Sequence, residues 1–301
     1  MDYVIQQILN AASVGGEYAL LALGLAIVFS VMGLVNFAHG EIITIAGFTM
    51  YALFIFATPT SAWVLLPIGI AAAVAAAVTF ERVAFRPVRN APGTTGLLTA
   101  FGVSIVVKNF FVSVVGATRP RAVPTPDWLN SQVEIGMVQI QTLQLLEAAV
   151  TAIALVLLVA LLRGTNIGLA MRAAAKDFNT VRLMGIRANQ VVLAAFVISG
   201  LLAGLAAVFI MARRGAVDPF MGFSPVLKAF VAAVLGGFGS LTGAVVGGLA
   251  LGAAEVLFQI VLPDSIAGYR DAFVFLLVAG VLIVRPQGLF GRKYQFGDKE
   301  G

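Results

Sequence analysis

Residues 42 to 80 run for 39 positions without a charged side chain, and two later stretches, 188 to 212 and 229 to 254, are also uncharged. A helix needs roughly 20 apolar residues to cross the hydrocarbon core of a bilayer, so each stretch is long enough to span it. A water-soluble core could not hide this much apolar surface, because 60% of the chain is hydrophobic and only 11% is charged. Unpaired backbone groups are prohibitive in lipid, which leaves helices or closed barrels. Runs of this length without period-2 alternation exclude the barrel. The fold class is therefore all-α: a polytopic integral membrane helical bundle, forming a single transmembrane domain over residues 1–301 with about eight or nine membrane segments.

Spanning segments are predicted near 14–35, 41–57, 62–85, 97–116, 143–162, 190–212, 241–262 and 270–285, with a shorter apolar segment near 224–235. The N-terminal "MDYVIQQILN" has an acid where a secretory signal carries positive charge and is read as the start of the mature protein. If the charged stretch 163–189 is cytoplasmic, alternation puts the C-terminus inside and the N-terminus outside. Lysines and arginines then divide twelve inside to five outside, with Lys108 and Lys228 within membrane segments. That bias is the one expected of cytoplasmic loops, and it accounts for the basic isoelectric point without nucleic acid.

The two longest loops differ in kind. The outer loop, 117–141, has three prolines followed by an alternating stretch, which predicts an extended path and a short hairpin. The inner one, 164–189, reads as short helices with Gly185 at a C-terminal cap. Its small and charged residues suit a docking element, since alanines allow close approach and charges fix register.

No G-x-x-x-x-G-K-[ST] loop, G-x-S-x-G elbow or H-E-x-x-H pair occurs, there is no cysteine, and His39 is the only histidine. The chain therefore lacks the common nucleotide, hydrolase and zinc-enzyme motifs, and no catalytic or metal-binding residue is assigned. Transport driven by ion coupling would need carboxylates inside the spans. Glu41 and Glu255 are the acids placed there, whereas Glu17 and Glu147 are expected near span ends, reaching water.

Two places predict interrupted helices. From Ser224 and Pro225, an N-cap with proline at the first helical position, to Leu235 is about a dozen residues. That is roughly 18 Å, too short to span, so "GGFGS" breaks a helix within the membrane. Gly243, Gly247, Gly248 and Gly252 then offer a close-packing face. In "GLVNFAHGEI", His39 and Glu41 are two apart and point in roughly opposite directions on a helix. A break at His39 and Gly40, with a new helix from Glu41 at its positive end, resolves this. His39 is expected as a neutral imidazole bonded to nearby backbone, and Asn36 as the member facing a path.

"GLVNFAHGEIITIAG", "GLAMRAAAKDFNTVRLMGI", "VLGGFGSLTGAVVGGLALG" and "RPQGLFG" together resemble the permease subunits of branched-chain amino-acid ABC importers, the LivH type, over residues 33–291. The resemblance implies a second, LivM-like permease, two LivG- and LivF-like ATPases that use ATP and Mg²⁺, and an external solute-binding protein. No cofactor is expected in this chain itself. It implies a bacterial cytoplasmic (inner) membrane location and alternating access through a path or gate at Asn36, His39, Gly40, Glu41, Gly236, Gly237, Gly239 and Ser240. It also implies ATPase coupling through Arg172, Ala173, Ala174, Lys176, Asp177, Arg182 and Gly185. The inner loop departs from the wider importer pattern, because no glutamate precedes its alanines and Gly185 comes late. Branched-chain or other apolar amino acids are the expected substrates. Urea, short amides and carboxylic acids are the alternatives within the class, and an ion-coupled carrier or channel is the alternative outside it.

Overall fold

Helix α1 (Asp2–Met32) is apolar around its circumference, and a helix without a polar stripe has to be enclosed on all sides. It forms the axis of the bundle, with every residue from Gly15 to Val28 buried. The computed structural model describes residues 2–56, 62–89, 91–123, 127–129, 131–135 and 138–291. Helix α1 starts twelve residues before the predicted boundary at 14. Its early polar side chains find partners: Asn10 donates to Gln7 at 3.1 Å and accepts from Gln144 at 2.9 Å.

The chain continues through α2 (His39–Phe56) and α3 (Ala62–Thr79), which runs through a π-helical stretch into the single turn α4 (Arg86–Val88). Helix α5 (Gly93–Asn109) also ends in a π-helical stretch. After the outer loop come α6 (Thr142–Gly164), the short α7 (Asn166–Ala174) and α8 (Phe178–Leu183), and the long α9 (Ala188–Arg214). Helices α10 (Phe223–Gly236), α11 (Leu241–Val261) and α12 (Arg270–Val284) complete the bundle. Among the described residues, eight helices are long and apolar enough to cross a membrane, and α10 is shorter. This is a multi-pass membrane protein.

One end of the bundle carries the predicted hairpin, β2 (Gln132–Ile135) antiparallel to β3 (Val138–Gln141) with Val133 opposite Ile140. At the same end, β1 (Arg121–Ala122) pairs with β4 (Ala216–Val217), tying the outer loop to the segment after α9. The α7–α8 elbow lies at the other end. Thr165 caps α7 by accepting from the Gly168 N–H at 3.1 Å. A Cβ on Gly168 would strike the Leu161 and Leu162 carbonyls, so only glycine permits so sharp a turn off α6.

The glycines of α11 serve two faces. Gly243 and Gly247 pack on Gly236 and Ala232 of α10, while Gly248 and Gly252 pack on Ala19 and Gly15 of α1. Successive helical residues differ by 100°, so the Gly247–Gly248 pair turns one close-packing face into two. A Cβ at Gly248 would press on Ala19 backbone. Gly248→Ala is expected to cost about 1–3 kcal/mol through overpacking. The loss would be read as a lower unfolding midpoint of the purified protein in detergent.

Candidate functional site

The first interruption begins where α1 ends. Gly33 adopts a left-handed φ of +70° and its N–H bonds to the Phe29 carbonyl at 2.7 Å, closing the helix. Residues 33–38 are non-helical. The Asn36 carbonyl then accepts from the His39 N–H at 3.1 Å, and α2 starts at His39, with Glu41 in its first turn. The break thus precedes His39 instead of falling on His39 and Gly40, because Gly33 and not Gly40 supplies the left-handed cap.

The polar groups diverge around the start of α2, as their spacing predicted for His39 and Glu41. His39, fully buried, lies 3.1 Å from Ser199 Oγ on α9; its partner is a side chain, not the backbone expected. Gly24 of α1 makes room for the imidazole, since a Cβ there would come within 2.8 Å of it. Glu41 faces α5, where its Oε1 accepts from Ser104 at 2.7 Å and lies 3.5 Å from Lys108 Nζ. Gly40 touches the backbone of Gly222, just before α10, where a Cβ would meet the Gly222 carbonyl oxygen at 2.6 Å. Asn36 is 2% exposed, and neither atom of its amide has a hydrogen-bond partner; His39 Nε2 and Glu41 Oε2 are also buried and unpaired.

Helix α10 begins at Phe223, so Ser224 and Pro225 lie inside its first turn and Gly222 takes the N-cap position. Glycine is needed there because the start of α2 presses against it. The second interruption follows Gly236. Gly237 and Gly239 have φ of +105° and +85°, and Ser240 caps α11 by accepting from the Gly243 N–H at 3.0 Å. The last carbonyls of α10 are satisfied from far away in sequence. Leu289 N–H bonds to Leu235 O at 2.8 Å and Phe290 N–H bonds to Gly236 O at 2.9 Å. The terminal "RPQGLFG" thus closes the helix end that "GGFGS" opens.

Aromatic rings join the two interruptions. Phe101 stacks on Phe37 at 5.0 Å, Phe37 meets Phe230 at 5.3 Å, Phe230 meets Phe238 at 5.5 Å, and Phe238 meets Phe29 edge-on at 4.3 Å. Phe37 sits in the first break and Phe238 in the second. The rings form a continuous packed contact between the two, and such pairs interact beyond their buried area.

Two ionic clusters lock the hairpin half of the bundle. Arg213 Nη2 lies 3.3 Å from Glu17 and 2.7 Å from Glu147, to which Ser13 also donates. Both carboxylates are buried, which corrects the expectation that they reach water. An arginine at the end of α9 pairs with both in place of solvent. In the other cluster, Lys228 of α10 lies 3.0 Å from Glu255 and 3.1 Å from Asp271, Arg270 lies 3.0 Å from Glu255, and Tyr18 donates to Glu255 at 2.6 Å.

In the elbow, Arg172 donates to the Leu162 carbonyl at the end of α6, and Ala174 packs into the core, with Ala173 half-buried beside it. Lys176 and Asp177 are exposed, and Gly185, with φ +78°, turns the chain after α8. Arg182 lies on α8, its side chain outside the described residues. Leu183 and Met184 are 88% and 74% exposed. Sequence reasoning missed the partners Ser104, Lys108, Ser199 and Arg213; only their polarity within apolar runs marked them.

A multi-pass helical bundle in which one helix starts among buried polar side chains has the make-up of a membrane transport protein. The profile of the family described as branched-chain amino acid transport system / permease component matches residues 7–284, and the chain belongs to that family. It is 37% identical over 301 residues to the high-affinity branched-chain amino acid transport system permease protein LivH of Salmonella typhimurium, covering 96% of each chain. The Escherichia coli K12 protein of that name and BraD of Pseudomonas aeruginosa are each 36% identical, again with 96% of each chain covered. A probable LivH of Methanocaldococcus jannaschii is 24% identical over 90% of this chain and 88% of its own.

Proposed function

We propose that the chain is a membrane subunit of a binding-protein-dependent ABC importer for branched-chain or other apolar amino acids. It would sit in a bacterial cytoplasmic membrane with its N-terminus outside and the elbow inside. A second related permease completes the path, two ATPases bind on the elbow side, and an external solute-binding protein delivers the ligand. The relatives' names support the substrate class, and the excess of lysine and arginine on the elbow side supports the orientation.

The observation that carries the reading is the elbow itself. Leu183 and Met184 project bare apolar surface beside exposed Lys176 and Asp177. A groove of about 470 Å³ next to α8, lined by Arg86, Phe178 and Arg187 among others, adds positive charge for an acidic element of the partner. Gly168 holds α7 tightly against α6, so a push on the elbow moves α6 with it. The ion-coupled alternative is weakened by charge pairing. Each of the buried acids Glu17, Glu41, Glu81, Glu147 and Glu255 has a lysine or arginine within 4.0 Å.

ATP supplies the energy on the partner subunits. This chain's part is to pass the motion of the elbow to the broken helices, which open the path alternately to either side. Leu183→Asp with Met184→Asp is expected to cut leucine uptake by cells at least tenfold and to release the ATPases during purification, with the permease still inserted. Unchanged uptake and co-purification would refute this docking surface.

A further inference from the structure

The start of α2 lies near the middle of the bundle. Ser104, the partner of Glu41, is eleven residues from one end of α5, about 16 Å along the axis, and Ser199, the partner of His39, is eleven residues into α9. Here the N-terminal ends of α2 and α10 meet at Gly40 and Gly222, two positive helix ends at membrane depth. Around them stand groups of three kinds. Glu41 keeps Oε2 buried and unpaired while Oε1 is held by Ser104 and Lys108. Asn36 offers an unpaired donor and an unpaired acceptor. Phe37, Phe101 and Phe223 provide apolar surface, with Lys108 Nζ lying 4.8 Å from the centre of the Phe223 ring.

Buried polar atoms without partners are costly, and more so in a membrane protein, where they mark ligand pathways. A carboxylate and an ammonium 3.5 Å apart match, with opposite polarity, the two charges of an amino-acid zwitterion. We propose that this cluster is a substrate site within the permease. The ligand's ammonium is received by Glu41 Oε2 and Asn36 Oδ1, its carboxylate by Lys108 and Asn36 Nδ2, and its apolar side chain by the Phe37, Phe101 and Phe223 rings. Phe101 and Phe223 are 43% and 52% exposed, so this edge of the cluster is not closed by the chain itself. The inference rests on the amino-acid reading above, and it adds that the permease itself selects a zwitterion.

The test uses the purified complex without its binding protein and radiolabelled L-leucine as probe. Saturable binding is expected, with at least tenfold weaker affinity in Glu41→Gln and in Asn36→Ala. Competition by leucinamide and by 4-methylpentanoate, which each lack one charge, should be at least tenfold weaker than by leucine. Asn36→Ala removes two unpaired buried atoms, so its unfolding midpoint should hold or rise while affinity falls. A merely structural asparagine would not give that combination. Binding unaltered in both variants, or no saturable binding to the wild-type complex while the assembled system still imports leucine, would overturn the site and leave the importer reading standing. Failure of the assembled wild-type system to import leucine would instead overturn that reading.

Discussion

Replacing Arg213 by glutamine leaves Glu17 and Glu147 buried side by side without a cation, and the protein is expected to lose about 3 kcal/mol of stability. Removing one partner of a buried ion pair costs about 3–5 kcal/mol, because the remaining charge keeps its desolvation penalty. The lower end applies, since the Arg213 side chain is 39% exposed and water reaches the site once it is shortened. Two acids depend on this one guanidinium: Glu147 is fully buried and Glu17 nearly so. They sit on α6 and α1, so α9 loses its ion pairs to both helices and the two acids are left facing each other. The measurement is the unfolding midpoint of the purified permease in detergent. Adding Glu17→Gln and Glu147→Gln to Arg213→Gln should recover most of the loss, because neutral amides carry no charge to bury unpaired. If the triple variant is no better than the single one, the arginine acts through packing and not through charge.

The helices were legible in the sequence because lipid imposes a length and a composition on each span, and an interruption at "GGFGS" was legible because consecutive glycines are poor inside one, although it falls between α10 and a full-length α11 instead of within a span. The pairing of Arg213 with Glu17 was not, since the two are far apart in sequence and only the packing of α9 on α1 makes them neighbours. The same holds for Glu41. Its place at a helix start followed from spacing, but Ser104 and Lys108 reach it only because α5 packs alongside α2. Gly222 shows a subtler miss. Ser224 and Pro225 carry the local signature of a helix start, yet the contact with Gly40 moves the N-cap two residues earlier and makes glycine the residue that fits. Likewise Arg172, read as a docking charge, also donates to a carbonyl at the end of α6, a contact that local pattern did not show. Local pattern gives the elements and their breaks; the partners of buried charges come from tertiary packing.

The terminal segment tests whether the second break works as a joint held from outside. Gly288 has φ +76°, and a Cβ there would meet the Val234 carbonyl oxygen at 2.6 Å and the Gly237 nitrogen at 2.7 Å. A β-branched residue must leave this conformation, which costs roughly 1–2 kcal/mol if retained. Leaving it withdraws the Leu289 and Phe290 N–H groups from the Leu235 and Gly236 carbonyls. Each carbonyl left without a partner costs about 1–3 kcal/mol more if it stays buried. The end of α10 is then free to fray, while its start remains anchored by Lys228 on Glu255 and Asp271. Gly288→Val is therefore expected to lower leucine uptake at least tenfold with the protein still in the membrane. Hydrogen exchange should rise at residues 235–241 and stay unchanged around Lys228. Gly280→Ala in α12, where a Cβ meets open space, is the matched control and should leave both readouts alone. Because the aromatic chain runs from Phe238 through Phe230 to Phe37, slackness at the second break should also appear as faster exchange at 33–38. Protection there that is unaltered in Gly288→Val would show that the two breaks move independently.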